Sequence, residues 1–199
     1  GKVIGVMTEK GLVSSDHVII AAGAGSRQIG RTAVIELPII MRPRHSFTTH
    51  YRHEDIPADA PFIIGYNPRA YMRSEAESGA IFGWEYAWKN KVNPEKSRSG
   101  YLIDPLPLNQ VKDERFPSSV LTVLQRQFGN IFSQDYLRYG VKLSNGYYVS
   151  RSAENSQRAI LDRYAGIEGL YLSVAHGGHG IMASAASGEI VAAHVLGKE

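Results

Sequence analysis

The sequence predicts a mixed fold of the α/β and α+β type, in which two glycine-marked strand segments flank an antiparallel β-unit. Short apolar runs at residues 18–21 and 170–174 each end in a glycine-rich turn, as buried strands do. The span 38–150 is rich in proline, aromatic residues and short alternating segments, which are typical of antiparallel strands. Residues 117–128 carry apolar side chains at three- and four-residue spacing, which indicates a helix.

The composition is that of a globular protein that is large enough for one sizeable core or two small ones. The chain has 199 residues, of which 43% are hydrophobic, and no apolar run approaches the roughly 20 residues of a membrane-spanning helix. The net charge is only +3 and the basic residues are scattered, so neither nucleic acid nor a membrane surface is an expected partner. The absence of cysteine excludes disulfides, thiolate metal ligands and a cysteinyl cofactor link. Nothing in these residues indicates a cellular compartment.

The amino-terminal residues predict a β-hairpin followed by a buried strand. Residues 2–6 and 12–13 are β-prone and flank a polar turn. The apolar run 18–21 then leads into Ala-Gly-Ala-Gly-Ser at residues 22–26, where the glycines leave room for another group to approach the backbone. We reject a GxGxxG dinucleotide-binding motif here, because Gln28 occupies the position of the third glycine and no acidic residue follows a second strand at the required spacing.

The central part of the chain predicts short antiparallel strands. The predicted strands are 46–51, 62–65, 70–74 and 80–85, with a turn at 77–79 joining the last two. The polar stretch 89–98 contains a proline and is interpreted as an exposed loop. Trp84, Tyr86 and Trp88 alternate along one strand face, which favours packing in a sheet or interface over a substrate wall.

A helix and a second hairpin are predicted after this region. Pro117 suits the first turn of the helix, and Gly129 suits its end. Asn145-Gly146, which precedes the β-prone residues 147–149, predicts a tight hairpin turn.

The carboxy-terminal segment predicts a strand, a glycine turn and a closing helix over residues 181–196. The helix begins with small residues through Gly188, so its axis can approach its neighbours closely. Its amino end carries the equivalent of about half a positive charge, which favours an anion or an electron-rich ring edge at the glycine turn. A tight strand-to-helix connection explains the glycines equally well.

Three segments together resemble the D-amino-acid-oxidase-like flavoproteins, which include glycine oxidase, sarcosine oxidase and amino-acid dehydrogenases. AHGGHGIMASAASGEIVAAHVLG is similar to the closing flavin motif of that family, and GKVIGVMTEKGLVSSDHVIIAAGAGS is similar to its hairpin and the strand that ends beside the FAD pyrophosphate. YMRSEAESGAIFGWEY resembles part of its antiparallel substrate domain. The resemblance covers nearly the whole chain.

The resemblance implies a partial FAD-binding Rossmann-like domain and an antiparallel β-sheet substrate domain. Residues 1–37 and 151–199 are expected to contribute to the FAD-binding part, and residues 38–150 are expected to form the substrate domain. The implied reaction is hydride transfer to FAD from the carbon that bears the amine of a small-molecule amine or amino acid. The imine that results is hydrolysed by water.

One part of the family pattern lies outside these residues. Members of the family open with a βαβ unit whose GxGxxG motif holds the FAD diphosphate, whereas this sequence starts within a later hairpin. We therefore expect either the carboxy-terminal portion of a longer polypeptide or a subunit that completes its site with a partner chain. On either interpretation, residues 1–199 alone are expected to bind FAD weakly or not at all.

The two glycine turns contain the candidate cofactor-binding residues. These are Ala22, Gly23, Gly25, His176, Gly177, Gly178, His179, Gly180, Ile181 and Met182. A hydrogen bond that fixes the loop is an alternative role for either histidine. No metal is expected, because two histidines without a further ligand form an incomplete site. Met182 stands where some relatives place a lysine near the flavin.

The resemblance also implies a carboxylate-binding arginine, because the planar guanidinium can donate two parallel hydrogen bonds. Arg151, which follows Tyr148, stands where the family often carries this residue. Arg73 with Tyr71 is the second candidate and Arg44 the third, while a surface ion pair is the plain alternative for each arginine. The sequence after Arg151 departs from the turn that is usual in the family, which leaves the substrate open. No catalytic residue is assigned.

A second function remains possible on the sequence alone. The same fold could serve as a non-catalytic binding or assembly subunit that has lost turnover. Bleaching of the flavin by an amine would separate the two functions.

Overall fold

The computed structural model describes residues 1–84, 104–151 and 158–198, which contain three α-helices and ten β-strands. In chain order these are β1 (Gly5–Thr8), β2 (Gly11–Ser14), β3 (Val18–Ile20), α1 (Ser26–Thr32), β4 (Ile39–Thr49), β5 (Ile63–Ile64), β6 (Ala70–Glu75), β7 (Gly79–Trp84), α2 (Phe116–Phe128), β8 (Val141–Arg151), β9 (Ile160–Arg163), β10 (Leu170–Val174) and α3 (Ser184–Leu196). The mixed fold class predicted from the sequence is confirmed.

The chain forms two compact units. Unit 1 comprises Gly1–Arg42, Tyr101–Pro105 and Tyr147–Glu199, and unit 2 comprises Pro43–Gly100 and Leu106–Gly146. Both ends of the sequence therefore belong to unit 1, while the middle forms unit 2.

Unit 1 contains a three-stranded sheet in the order β3-β10-β9. β3 and β10 are parallel, with Val18 opposite Leu170 and Ile20 opposite Leu172, whereas β9 is antiparallel to β10. Ile20 and Leu172 are both buried, so the two apolar runs predicted as strands do form adjacent strands, although Ile19 of β3 is 47% exposed. β1 and β2 form the predicted antiparallel hairpin, and the Thr8 hydroxyl donates to the Gly11 carbonyl oxygen across its turn at 2.8 Å.

Helix α1 was not predicted from the sequence. It is short, and its basic side chains hold it in place: Arg27 and Arg31 both pair with Glu36. Arg31 also lies 3.0 Å from a carboxylate oxygen of Asp104, and Arg27 donates to the backbone carbonyl of Ile39 at 2.8 Å. Ion pairs give no periodic signal in the sequence, which explains why α1 was missed.

The end of α1 contains a strained residue. Val34 adopts a left-handed conformation, with φ of 59°, although it is β-branched, and its side chain is 95% exposed. The backbone here closes the helix through the Ile35 N–H, which donates to the Gly30 carbonyl at 3.1 Å. Glycine is the residue that favours this position after a helix.

Val34→Gly is therefore expected to raise the free energy of unfolding by about 1 kcal/mol. The relief of strain exceeds the extra freedom of glycine in the unfolded chain, and little packing is lost because the side chain is exposed. Equilibrium urea denaturation measures the change. Val34→Ala, which removes the β-branch but keeps Cβ, should give a smaller gain, and a loss of stability in Val34→Gly would contradict the strain.

Unit 2 is built on a sheet in the order β5-β6-β7-β4-β8, two of whose strands, β4 and β8, cross the sequence boundary with unit 1. The predicted strands at 62–65 and 70–74 correspond to β5 and β6. The one at 80–85 corresponds to β7, although Glu85 lies outside the described residues. Glu75 pairs with Gly79, so the turn between β6 and β7 includes 77–78 as expected.

Strand β4 begins earlier than predicted, at Ile39 rather than residue 46, and ends at Thr49 rather than 51. Buried and half-buried residues alternate along its whole length, which is the pattern of a strand with one face on a core. Pro43 does not end the strand. It precedes residues 46–49, which pair with β7, so its lack of an N–H removes no hydrogen bond between β4 and β7.

Helix α2 covers the core of unit 2 as the apolar spacing predicted. Its buried residues Val120, Leu121 and Leu124 join a cluster with the stacked rings of Phe47 and Phe82, whose centroids are 4.8 Å apart. The helix ends before Gly129, which has φ of 87°. Burial raises the pKa of Tyr136 in this cluster to about 12, so its hydroxyl stays neutral and accepts a hydrogen bond from the His53 N–H at 3.0 Å.

The hairpin predicted at Asn145-Gly146 is wrong. Both residues lie inside the continuous strand β8. The Asn145 side chain bonds in two directions: Oδ1 is 2.9 Å from Nδ1 of His45, and Nδ2 donates to the Leu108 carbonyl at 3.4 Å. These partners hold Asn145 in an extended conformation, so tertiary contacts overcome the local preference for a turn.

Candidate functional site

The turn after β10 approaches the start of the closing helix. The helix was predicted over 181–196, but α3 begins at Ser184, and residues 181–183 form a turn in which the Ala183 N–H donates to the His179 carbonyl at 3.0 Å. The later start is a correction to the prediction. Ile181 and Met182 consequently project from the turn, with 93% and 78% of their surface exposed.

Two hydrogen bonds fix the turn to neighbouring strands of unit 1. The Gly177 N–H donates to the Val149 carbonyl of β8 at 2.8 Å. His176 Nε2 lies 3.2 Å from the Ser173 hydroxyl of β10. Ala175 and Gly177 have φ of 64° and 58°, so the backbone on both sides of His176 is left-handed. The chain reverses sharply at this point and returns over β8.

Two glycines of this turn stand where a Cβ would be in tight contact with a neighbouring side chain. A Cβ at Gly178 would lie 3.0 Å from the ring of Tyr148, and a Cβ at Gly180 would lie 3.3 Å from Cβ of His176. Tyr148, which was predicted to bind substrate, is therefore placed against the glycine turn. The ring supports the turn from the β8 side.

Both glycine-marked loops reach one cavity of about 370 Å³ in unit 1. Its lining residues are Ala21, Gly23, Ala24, Tyr147, Val149, Ser173, Val174, Ala175, His176, Gly177, Gly180, Ser184, Ser187 and Gly188. Of the predicted cofactor-binding residues, Gly23, His176, Gly177 and Gly180 line it. The others flank these in sequence without lining the cavity; they are Ala22, Gly25, Gly178, His179, Ile181 and Met182.

Several lining residues were not among the predicted site residues. Tyr147 and Val149 alternate on β8, and Ser184, Ser187 and Gly188 follow helical spacing on α3. Residues two apart in a strand share a face. Had Val149 been known to face the cavity, alternation would have placed Tyr147, and not Tyr148, in the cavity wall. Which strand face is internal depends on the fold, so the sequence did not reveal it.

Arg151 is held by the backbone of unit 1. Its Nε donates to the Arg158 carbonyl at 3.0 Å, and its Nη2 donates to the Ala159 carbonyl at 2.6 Å. Both donors lie on one side of the guanidinium. Arg151 shares its strand face with Tyr147 and Val149, because residues two apart in a strand point the same way.

The other predicted substrate residues lie in unit 2. Arg73 pairs with Glu75 at 3.0 Å and is half exposed, which fits the alternative of a surface ion pair. Tyr71 stacks on Phe62 with centroids 5.2 Å apart, and its ring crosses the space that a side chain at Gly83 would occupy. Arg44 is half-buried on β4. Tyr86 and Trp88 of the aromatic row lie outside the described residues.

The cavity suits a flat and uncharged or electron-rich ring. Its wall consists mostly of glycine, alanine and serine, and left-handed glycines such as Gly23, at φ of 54°, bring backbone rather than side chains to the surface. No Asp or Glu is among the described residues that line it. The amino end of the 13-residue helix α3 contributes Ser184 to the wall. The residues present therefore fit a flat ring such as that of a flavin.

Within residues 1–84, 104–151 and 158–198, no three His, Asp or Glu side chains are grouped so that they could hold a metal ion. None of the helices in the described part of the chain has the length and apolar character needed to cross a membrane.

Comparison with solved structures shows a shared fold. The chain superposes on L-proline dehydrogenase from P. horikoshii with a TM-score of 0.72 and 20% identity, covering 96% of this chain and 46% of that one. For glycine oxidase from Geobacillus kaustophilus the TM-score is 0.71 at 16% identity, and the match covers 97% of this chain and 45% of that one. For fructosamine oxidase from Aspergillus fumigatus the TM-score is 0.71 at 13% identity, and the match covers 98% of this chain and 45% of that one. The chain thus spans less than half the length of these proteins.

Sequence comparison identifies the family. No curated protein sequence matches the chain. Residues 1–194 match the family model described as DAO, FAD dependent oxidoreductase, which confirms the resemblance inferred from the glycine motifs and the cofactor that it implies. The chain belongs to the DAO family of FAD-dependent oxidoreductases.

Proposed function

We propose that this chain forms part of an enzyme that oxidises the C–N bond of an amino acid or secondary amine by hydride transfer to FAD. The observation that carries the proposal is the convergence of the Gly23 loop and the Gly177 turn on one cavity. Structural neighbours that are named as a proline dehydrogenase and a glycine oxidase favour amino-acid-like substrates. When bound, FAD supplies the hydride acceptor.

On this proposal the cavity residues bind and orient the cofactor. The wall of small residues admits a flat ring, and the two hydrogen bonds of the His176 turn keep the wall rigid. The amino end of α3 carries the equivalent of about half a positive charge, which stabilises negative charge that develops on the nearby ring edge. Residues 1–37 and 151–199 are proposed to supply most of this half of the cofactor site, together with Tyr147 and Val149 of β8, and the rest of 38–150 is proposed to form the substrate domain.

Arg151 is proposed as the group that binds the substrate carboxylate. A guanidinium can bind a carboxylate along its Nε–Nη2 side or along its Nη1–Nη2 end. The carbonyls of Arg158 and Ala159 occupy the first edge and set the direction of the second, which is proposed to receive the ligand. Preorganisation of this kind lowers the entropy cost of binding.

A further polypeptide segment is proposed to complete the cofactor site. The hairpin of unit 1 exposes several large apolar side chains; they are Ile4, Val6, Met7, Leu12 and Val13, which are 71%, 46%, 74%, 49% and 59% exposed. An apolar cavity of about 610 Å³ lies beneath the hairpin, and β3 is an edge strand of its sheet. The segment is either another part of a longer polypeptide or a separate subunit, and it covers this surface.

The proposal is tested with the complete protein, which contains this chain and the segment that completes it. After FAD loading, N-methyl glycines, D-amino acids and L-proline are added without oxygen, and the absorbance of the oxidised flavin is followed. At least one amine should bleach the flavin, while the matching carboxylic acid without nitrogen should not. A protein that binds FAD but is bleached by none of these would be the non-catalytic subunit instead.

A further inference from the structure

Strand β5 lies at one edge of the unit 2 sheet. In the described part of the chain it pairs with β6 on one side only. The Gly65 N–H donates to the Ala70 carbonyl of β6 at 2.7 Å. Because successive residues of a strand point their N–H and carbonyl groups to opposite sides, those of Ile64 point away from β6. Such an edge is a template for pairing with another strand.

The side chains along this edge form an exposed apolar row. Phe62, Ile64 and Tyr66 occupy alternate positions, and they are 50%, 53% and 91% exposed. The ring of Phe62 stacks on Tyr71 with centroids 5.2 Å apart, and the Tyr66 N–H donates to the Gln127 side chain at 3.0 Å. Both ends of the row are therefore fixed. Exposed aromatic side chains that are held in place are typical of protein interfaces.

The charges at the two ends of the edge are opposite. Asp59 lies five residues before Ile64 and Arg69 lies five residues after it, and both are exposed. Within residues 1–84, 104–151 and 158–198, neither forms an ion pair. If two copies pair antiparallel about Ile64, Asp59 of each lies at the same end as Arg69 of the other, and Phe62 lies opposite Tyr66. The edge is therefore complementary to itself about a two-fold axis.

We propose that two copies of this chain associate through antiparallel pairing of their β5 strands, with the two-fold axis at Ile64. The Ile64 N–H of each copy donates to the Ile64 carbonyl of the other, and Asp59 pairs with Arg69 at both ends. Because Gln127 already occupies the Tyr66 N–H, few residues can pair, and we expect a dissociation constant in the micromolar range. The contact does not depend on the proposed function.

Sedimentation velocity of the complete protein tests the association. The wild-type protein should change from one copy to two as its concentration rises from about 1 to 100 µM. Ile64→Lys places a charge on the edge and should weaken association by about tenfold or more. Val141→Lys is the matched control, because it makes the same change at a 40% exposed residue of β8, the strand at the opposite edge of the sheet. It should leave association unchanged.

Charge reversal tests the two-fold arrangement. Asp59→Arg places like charges at both ends of the contact and should weaken association about tenfold, and Arg69→Asp should do the same. An equimolar mixture of the two variants should associate as tightly as wild type, because each end of the mixed pair then joins opposite charges. Wild-type association of either variant alone, or no recovery in the mixture, would overturn the proposed pairing.

Hydrogen exchange at the Ile64 amide identifies what covers the edge. Protection that increases with protein concentration supports the pairing of two copies. A complete protein that remains a single copy at about 100 µM would overturn the inference, and slow exchange at every concentration would then assign the edge to another segment of the same polypeptide. Bleaching of the flavin by an amine does not depend on the number of copies, so these results leave the proposed function intact.

Discussion

Gly169→Ala is expected to destabilise unit 1 by about 3 kcal/mol or more. Gly169 has φ of 79°, and a Cβ there would lie 2.1 Å from the backbone oxygen of Asp16. The colliding atom belongs to the main chain that leads into β3, so it has no rotamer through which to move aside. Left-handed strain and overpacking each cost about 1 to 3 kcal/mol. The Gly169 carbonyl also accepts the Val18 N–H at 2.8 Å, so the clash separates β3 from β10.

Equilibrium urea denaturation of the purified chain measures this loss. Gly146→Ala is the matched control, because a Cβ at that position meets no atom within 4 Å. Its free energy of unfolding should stay within about 0.5 kcal/mol of wild type. If Gly169→Ala were as stable as this control, the close approach of Gly169 to Asp16 would be wrong.

The second large effect is expected at the substrate site. Arg151→Ala should weaken binding of a carboxylate-bearing amine by about 2 to 5 kcal/mol, which is roughly thirtyfold to several thousandfold in KM or in the dissociation constant. The loss is large because the Nη1–Nη2 edge of the guanidinium is proposed to be fixed in direction before the ligand arrives. Anaerobic reduction of the FAD-loaded protein at varied amine concentration measures the change.

Three comparisons separate this role from a structural one. Arg151→Lys keeps the positive charge but loses the planar guanidinium with its two parallel donors, so it should retain only part of the affinity. Arg73→Ala removes an arginine that is already paired with Glu75 and should change the affinity less than twofold. Thermal denaturation measures any stability that is lost with the hydrogen bonds from Arg151 to the Arg158 and Ala159 carbonyls. An unchanged affinity in Arg151→Ala would transfer the role to Arg73 or Arg44.

Features with a local cause were predictable from the sequence. The β1–β2 hairpin follows from its turn residues, and α2 follows from apolar spacing with Pro117 and Gly129 at its ends. The apolar runs that became β3 and β10 were found because each is continuously hydrophobic; β10 is buried along almost its whole length, whereas Ile19 of β3 is 47% exposed.

Features that depend on distant partners were not predictable. Asn145-Gly146 carries a strong turn signal, but His45 and Leu108 hold Asn145 within β8. Helix α1 pairs with the nearby Glu36 and with Asp104, which stands well apart from it in the sequence. In the candidate site the glycine turns were visible as motifs. Tyr147 and Ala175 were missed because strand face and backbone φ have no sequence signature of their own.

The pairing of Val18 with Leu170 has a consequence for biosynthesis. β3 leaves the ribosome long before its neighbour β10 has been synthesised. The apolar strand therefore has no β10 partner until most of the remaining residues have been added. Unit 2 is encoded between the two and can acquire its core first, as domains commonly do during translation. Contacts that close such a long loop form slowly. During synthesis, β3 therefore stays without its β10 neighbour until almost all of these residues have been added.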